Sequence, residues 1–223
     1  MLIMHYTGME SAEAAEQHLQ SSESEVSAHY VVREDGKVVQ MVAETARAWH
    51  AGESVWQGER DINSRSIGIE VVNAGPLRDF PPFPTAQIAA LVRLSRDIIL
   101  RHGIEARHVL GHSDIAPMRK IDPGEKFPWD ELAVAGIGHY VLPQPVSSGR
   151  FMARGESGQP VAALQSMLAL YGYGLEINGV FDEITESIIR AFQRHFRPVR
   201  VDGVADASTI ATLHHLLADL QAL

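Results

Sequence analysis

Residues 85–103, TAQIAALVRLSRDIILRHG, form a helix pattern set between two short strand patterns, and that alternation limits the fold more than any other feature. Ile88, Leu91, Val92, Ser95, Ile98 and Ile99 recur at helical spacing. Thr85 stands where it can cap the start. Arg101 and His102 suit the negative end of the helix dipole, and Gly103 suits the residue after the last turn. Upstream, SIGIEVVN (66–73) is a short β-branched run, and downstream HVLGH (108–112) is another. The chain starts in a strand-like run, Leu2 to Tyr6. In HYVVREDGKVVQMV (29–42) two apolar runs flank Asp35-Gly36, a hairpin signal. Strands and helices interleaved in this way predict an α/β domain with a mixed central sheet flanked by helices.

The texture changes at VLPQPVSSGR (141–150), where Pro, Ser and Gly concentrate without periodicity. This reads as a linker long enough to let its neighbours fold separately. Beyond it only helix patterns occur. Val161, Leu164, Leu168 and Tyr171 share one face of the first, which ends at Gly172. INGVFDEITESIIRAF (177–192) then repeats as VDGVADASTIATLHHL (201–216) at a constant offset of 24. Each unit is a Gly-containing turn, an Asp N-cap and an amphipathic helix. The division expected is therefore a domain at 1–140, a linker at 141–150 and a small three-helix domain at 151–223. The turns NGVFD and DGVAD lie at helix N-termini, where backbone N–H groups suit sugar hydroxyls or a carboxylate.

Composition removes several function classes. The net charge of −9 leaves no basic patch fit for a phosphate backbone, so nucleic acid is not expected as a partner. With no cysteine there are neither disulfides nor thiolate metal ligands. No apolar run approaches the roughly 18–20 residues of a membrane span. The start lacks a signal-peptide pattern and lies within a strand-like run. An export segment missing from this chain, giving a cell-envelope or periplasmic protein, is the reading preferred over a cytoplasmic one.

Among the eleven histidines, His18, His102, His195, His214 and His215 fall in helical segments and are expected at exposed or edge positions. His5 and His112 differ, because each ends a short apolar strand, where α/β folds place reacting groups. Asp122 follows His112 by ten positions across a segment broken by Pro117. Imidazole and carboxylate held from rigid positions suit a zinc site, although a lone His and Asp at that spacing are weak evidence. Glu70 is one carboxylate in an apolar strand, which is costly unless it is paired, bonded or used. The competing reading is a wet strand end or a pair with Arg65. Lys120 lies two residues before Asp122, on the same side of an extended chain. It is either a surface lysine or a group poised for a developing oxyanion.

MHYTGM, SAHYVV, AWHAGES, NSRSIGIEVVN and GHSDIAPMRKIDPG, in this order, resemble the zinc N-acetylmuramoyl-L-alanine amidases of the type 2 family. That family is related to the peptidoglycan recognition proteins. The match spans about residues 1–135, and residues 153–217 resemble the three-helix peptidoglycan-binding module. The resemblance implies zinc held by His5, His112 and Asp122, with Glu70 as catalytic carboxylate and Lys120 as catalytic lysine. Trp49, His50 and Asn73 would line the substrate cleft, and His29 would be structural. One branch of the family uses a tyrosine just before the histidine of HYVV. Ala28 stands there in this chain, so the work falls to Glu70. Met118 replaces a common Gly and could narrow the cleft.

The activity implied is hydrolysis of the amide between N-acetylmuramic acid, ordinary or 1,6-anhydro, and L-alanine of peptidoglycan or a muropeptide. A monomer is expected. The alternative is a non-catalytic peptidoglycan-binding protein, and another is a cytosolic recycling amidase. The filled ligand positions argue against the first, and the wall-binding tail argues against the second.

Overall fold

The computed structural model describes residues 1–146, 149 and 151–222. Residues 147, 148 and 150 of the expected linker, and residue 223, lie outside the described residues.

Five strands form one mixed sheet. They are β1 (Leu2–Tyr6), β2 (Tyr30–Val32), β3 (Val38–Gln40), β4 (Ile67–Val71) and β5 (Val109–Gly111), in the order β3-β2-β4-β1-β5. The hairpin pair β2–β3 is antiparallel, and the other neighbours run parallel. Helices α1 (Ala12–Gln20), α2 (Thr85–His102), α3 (His112–Ile115) and α4 (Trp129–Val134) complete this part.

Strand alternation divides the work of the sheet. Leu2, Met4, Ile67, Ile69 and Val71 are buried with Ile88, Leu91 and Ile98 of α2. The intervening residues Ile3, His5, Gly68 and Glu70 belong to the opposite face. Helix α2 has the expected extent, and Gly103 ends it with φ +59°. Its N-cap is Pro84 rather than Thr85. Pro84 is already extended (φ −62°, ψ 145°), so Thr85 enters as the first helical residue and makes no capping bond.

The tail folds into three helices, α5 (Gln159–Tyr171), α6 (Glu183–Phe196) and α7 (Ala207–Ala222). The sequence repeat is a repeat of hydrogen bonds. Asp182 Oδ1 accepts from Thr185 N at 2.9 Å, and Asp206 Oδ1 accepts from Thr209 N at 2.8 Å. Gln165 and Gln193 each fill the turn that follows their own helix. Their Oε1 atoms accept from Gly179 N (2.8 Å) and Gly203 N (2.9 Å). Their Nε2 atoms donate to Val180 O (3.0 Å) and Val204 O (2.9 Å). The amides of Val180 and Val204 bond Asn178 and Asp202. These turn donors, expected from the sequence to face a ligand, are consumed inside the fold.

The tail does not stand apart from the sheet. One apolar cluster runs from Ile3, Leu110, Ile115, Trp56 and Ile62 into Leu164, Leu168, Tyr171, Phe192 and Phe196. Gln57 N donates to Gly172 O at 2.8 Å, and Trp56 bridges to Tyr173 through the backbone. His139 bonds Tyr171 and Asp219. Where the sequence suggests two parts that fold separately, the packing is continuous. Helix α2 covers one face of the sheet; on the other, Ile3 and Leu110 join the core shared with the tail, while His5 and Glu70 line an open cleft.

Candidate metal centre and catalytic cleft

His5 is the fourth of the five β1 residues, and His112 follows β5 directly as the first residue of α3. Asp122 lies on the loop after α3, tied back by Ser113 N, which donates to Asp122 O at 2.9 Å. All three are buried. Their donor atoms converge: His5 Nδ1 is 3.0 Å from His112 Nδ1 and 3.0 Å from Asp122 Oδ2, and His112 Nδ1 is 3.1 Å from Asp122 Oδ2. Among the described residues this is the group of His, Asp and Glu able to hold a metal ion.

The hydrogen-bond network fixes which nitrogens carry protons. Ser66 Oγ donates to Ile62 O at 2.6 Å, so its lone pair faces His50 Nε2 at 3.2 Å. His50 Nε2 is therefore the protonated nitrogen, and His50 Nδ1 accepts. Across 3.0 Å, His5 Nε2 must then be the donor. On the other ring His112 Nε2 donates to Ala51 O at 3.0 Å. Both Nδ1 atoms are left as lone pairs aimed at each other and at a carboxylate oxygen. Three acceptors at hydrogen-bond distance, with no proton among them, repel unless a cation lies between them. Two imidazoles and a carboxylate are a donor set suited to zinc.

Burial, and secondarily the neighbouring His112, push His5 down to about 4, against the pull of Asp122. Burial would raise the Asp122 carboxyl, but His112 and His5 outweigh it and hold the group well below the usual carboxylate range. His50 is also pushed far down, by burial and then by His5. Gly68 lets the His50 ring lie against strand β4, since a Cβ there would be 2.5 Å from the ring.

Glu70 is the register partner of His5 across the β1–β4 ladder. Its Oε2 is buried without a hydrogen-bond partner. Burial, with a further push from Asp122, holds its carboxyl well above the ordinary range, while Lys120 opposes the shift. Glu70 is not paired with Arg65, which bonds Glu59 instead, and it is partly exposed toward the cleft. Lys120 lines the same cleft. Its backbone is set by a turn in which Arg119 N and Lys120 N both donate to Ala116 O. Arg119 reaches across to the carbonyls of Ala51 and Glu53, which fixes the loop.

The cleft has a volume of about 350 Å³ and is lined by His5, His112, Asp122, Glu70, Lys120, Tyr6 and Trp49, among others. Trp49 is 55% exposed at its rim. His50 lines the cleft as expected, buried beside His5, whose tautomer it sets. The remaining expected cleft residue does not line it. Asn73 is buried outside this cleft, bonding Pro81 O at 2.9 Å and Gly75 N at 2.8 Å to close a loop. His29 is structural as expected, bonding Ala46 O and Gly68 N. Ala28 is fully buried, and Met118 stands half-exposed away from the cleft lining.

Sequence reasoning passed over Ser66, Asp114 and Tyr173. It placed His195 at an exposed or edge position, yet His195 is 2% exposed, stacked on Trp129 at 3.7 Å. Nothing in the local sequence reports these, because each acts on a partner distant in the chain.

Residues 1–125 match the family model described as N-acetylmuramoyl-L-alanine amidase, and residues 157–213 match one for a peptidoglycan binding domain. The N-acetylmuramoyl-L-alanine amidase AmiD of Escherichia coli (strain K12) is 41% identical over 232 residues, covering 97% of this chain and 82% of that protein. The solved complex of AmiD from E. coli with the substrate anhydro-N-acetylmuramic acid-L-Ala-D-γ-Glu-L-Lys superposes with a TM-score of 0.83 at 37% identity, covering 98% of this chain and 88% of that one. AmpDh3 from Pseudomonas aeruginosa, in complex with an anhydromuramic pentapeptide, gives a TM-score of 0.83 at 33% identity, covering 99% and 91%.

Proposed function

We propose that this chain, which belongs to the N-acetylmuramoyl-L-alanine amidase family, hydrolyses the amide between N-acetylmuramic acid and L-alanine of peptidoglycan stem peptides at the His5–Glu70 cleft. The observation that carries the reading is the convergence of three unprotonated donors beside a carboxylate that has one oxygen buried without a partner. His5, His112 and Asp122 would hold zinc. When bound, zinc supplies Lewis acidity, lowering the pKa of water to about 7 and polarising a carbonyl.

The Glu70 carboxylate takes the proton of the attacking water and returns it to the amine that leaves with L-alanine. Its raised proton affinity, before any cation is present, suits a group that must hold that proton between the two steps. Lys120 stabilises the negative charge that develops on the carbonyl oxygen. Loss of such a donor typically costs about 10²–10³ in rate. Trp49, at the rim, offers an apolar face to the sugar or the peptide. A peptidoglycan substrate and the match of the tail to a peptidoglycan binding domain support the reading of a cell-envelope enzyme whose tail is its peptidoglycan-binding part.

The test is direct. Zinc-loaded protein is incubated with muramoyl-peptides in the ordinary and 1,6-anhydro forms, and free stem peptide is measured. Release from either form is the expected result. Retention on peptidoglycan with no release from either would leave the non-catalytic binding protein as the reading.

A further inference from the structure

The deepest contact between the tail and the sheet ends two residues from His112. Asp114 is 1% exposed, and its carboxylate takes three bonds. Oδ2 accepts from Gly111 N at 2.8 Å and from His195 Nδ1 at 2.7 Å, and Oδ1 accepts from Tyr173 OH at 2.9 Å. The first bond closes the turn from Gly111 to Asp114 with His112 inside it. The other two come from the tail, one from α6 and one from the residue just past Gly172. The same turn offers Ser113 N to Asp122 O. The orientation of one buried carboxylate therefore bears on two of the three convergent donors. Arg194, beside His195, approaches Glu125 at 3.7 Å, three residues beyond Asp122.

We infer that His195 and Tyr173 of the peptidoglycan-binding module are positioning residues for the metal centre, holding Asp114 and through it the turn that carries His112 and anchors Asp122. The inference rests on the reading of His5, His112 and Asp122 as metal ligands. A buried carboxylate deprived of donors must find others or rotate, and the turn that Asp114 closes is the one that carries His112. Outer hydrogen-bond partners of this kind typically change metal affinity by about 10–100-fold. The module described as a wall binder would then also be part of the frame of the active site.

The experiment measures zinc affinity of the full chain by competition with a chromophoric chelator. Tyr173→Phe deletes a single hydroxyl. His195→Phe keeps a flat ring against Trp129 but removes the donor. His195→Asn keeps a donor near the Nδ1 position and loses the ring. Leu168→Ala weakens the shared core without touching Asp114. The expected result is that Tyr173→Phe and His195→Phe weaken zinc binding by about tenfold or more, while His195→Asn stays closer to wild type. Leu168→Ala should lower the melting temperature yet leave affinity unchanged. Wild-type affinity in Tyr173→Phe overturns the inference, and so does an equal loss in Leu168→Ala. If His195→Phe does not fold, the Tyr173→Phe result decides. Failure of the wild type to bind zinc, or full zinc retention in His112→Ala, would instead remove the metal reading itself.

Discussion

His5 and Glu70 are register partners on adjacent parallel strands, so the proposed ligand and the proposed base rise from the same face of the sheet one strand apart. Neighbouring strands lie about 4.7–4.9 Å apart, and their backbones are fixed by ladder hydrogen bonds. Neither loop motion nor side-chain search is needed to bring metal and base together. The sheet supplies the two fixed groups, and the loop from 112 to 122 supplies the adjustable ones.

Separating metal binding from chemistry follows from that geometry. Glu70→Gln keeps size and position but cannot carry a proton. We expect full zinc occupancy and turnover reduced by at least about 10²-fold, the usual scale for general base catalysis. Stoichiometry is read by elemental analysis and turnover by stem-peptide release. A variant with near-normal turnover would eliminate Glu70 as the proton carrier.

Removing a ligand should remove both. In His112→Ala the remaining imidazole and carboxylate form an incomplete set. Zinc content is expected to fall well below one ion per chain, with activity falling alongside it. Chelation of the wild-type enzyme should do the same reversibly, with activity returning on addition of zinc. Activity that survives exhaustive chelation would exclude the metal from the reaction.

The raised Glu70 carboxyl has a stability consequence of definite sign. Burial, then Asp122, hold it well above its ordinary value of 4.5, so in the metal-free protein the folded state binds this proton more tightly than the unfolded chain. Its contribution is most favourable below 4.5 and falls as pH rises through the raised folded value. Metal-free Glu70→Gln should therefore be more stable than metal-free wild type at pH 7, by about 1–3 kcal/mol. The gap should close as pH falls toward 4.5, measured by denaturant melts across that range. Equal stability of the two at pH 7 would show that Glu70 is not strained by its surroundings.

What could be read in advance depended on whether the cause was local. The α2 pattern, the Asp35-Gly36 hairpin and the 24-residue repeat are local, and the sequence displays them directly. The convergence of His5, His112 and Asp122 was available from family resemblance, since separations of 107 and 10 residues carry no geometric signal of their own. The duties of His50, Ser66 and Asn73 arise from who lies opposite whom, which no periodicity reports. His195 was misplaced for the same reason. Its helix is amphipathic, and the apolar side that buries it belongs to the other half of the chain.

The last expectation concerns how the two halves depend on each other. If the linker-like stretch at 141–150 lets the two parts fold separately, residues 1–147 alone should cleave a small soluble muropeptide about as well as the full chain, with the tail acting only as a tether. The packing argues otherwise. Trp56, fully buried, packs edge-on to Tyr171 at 6.0 Å and to Tyr173 at 5.0 Å. Removing the tail would uncover that side chain together with parts of Ile62, Ile115 and Leu110, and would strip Asp114 of two donors. We expect residues 1–146 to be poorly soluble or inactive, with soluble and insoluble substrates affected alike. The full chain should melt in one transition. Gly172→Ala tests the same contact without truncation. A Cβ there would lie 2.6 Å from the Trp56 ring, at a φ of +145° that side chains rarely adopt. Overpacking of this kind costs about 1–3 kcal/mol, and it should lower the single transition of the whole protein. Two separate transitions, with a fragment fully active on soluble substrate, would restore the tether and dismiss the shared core as a mere contact.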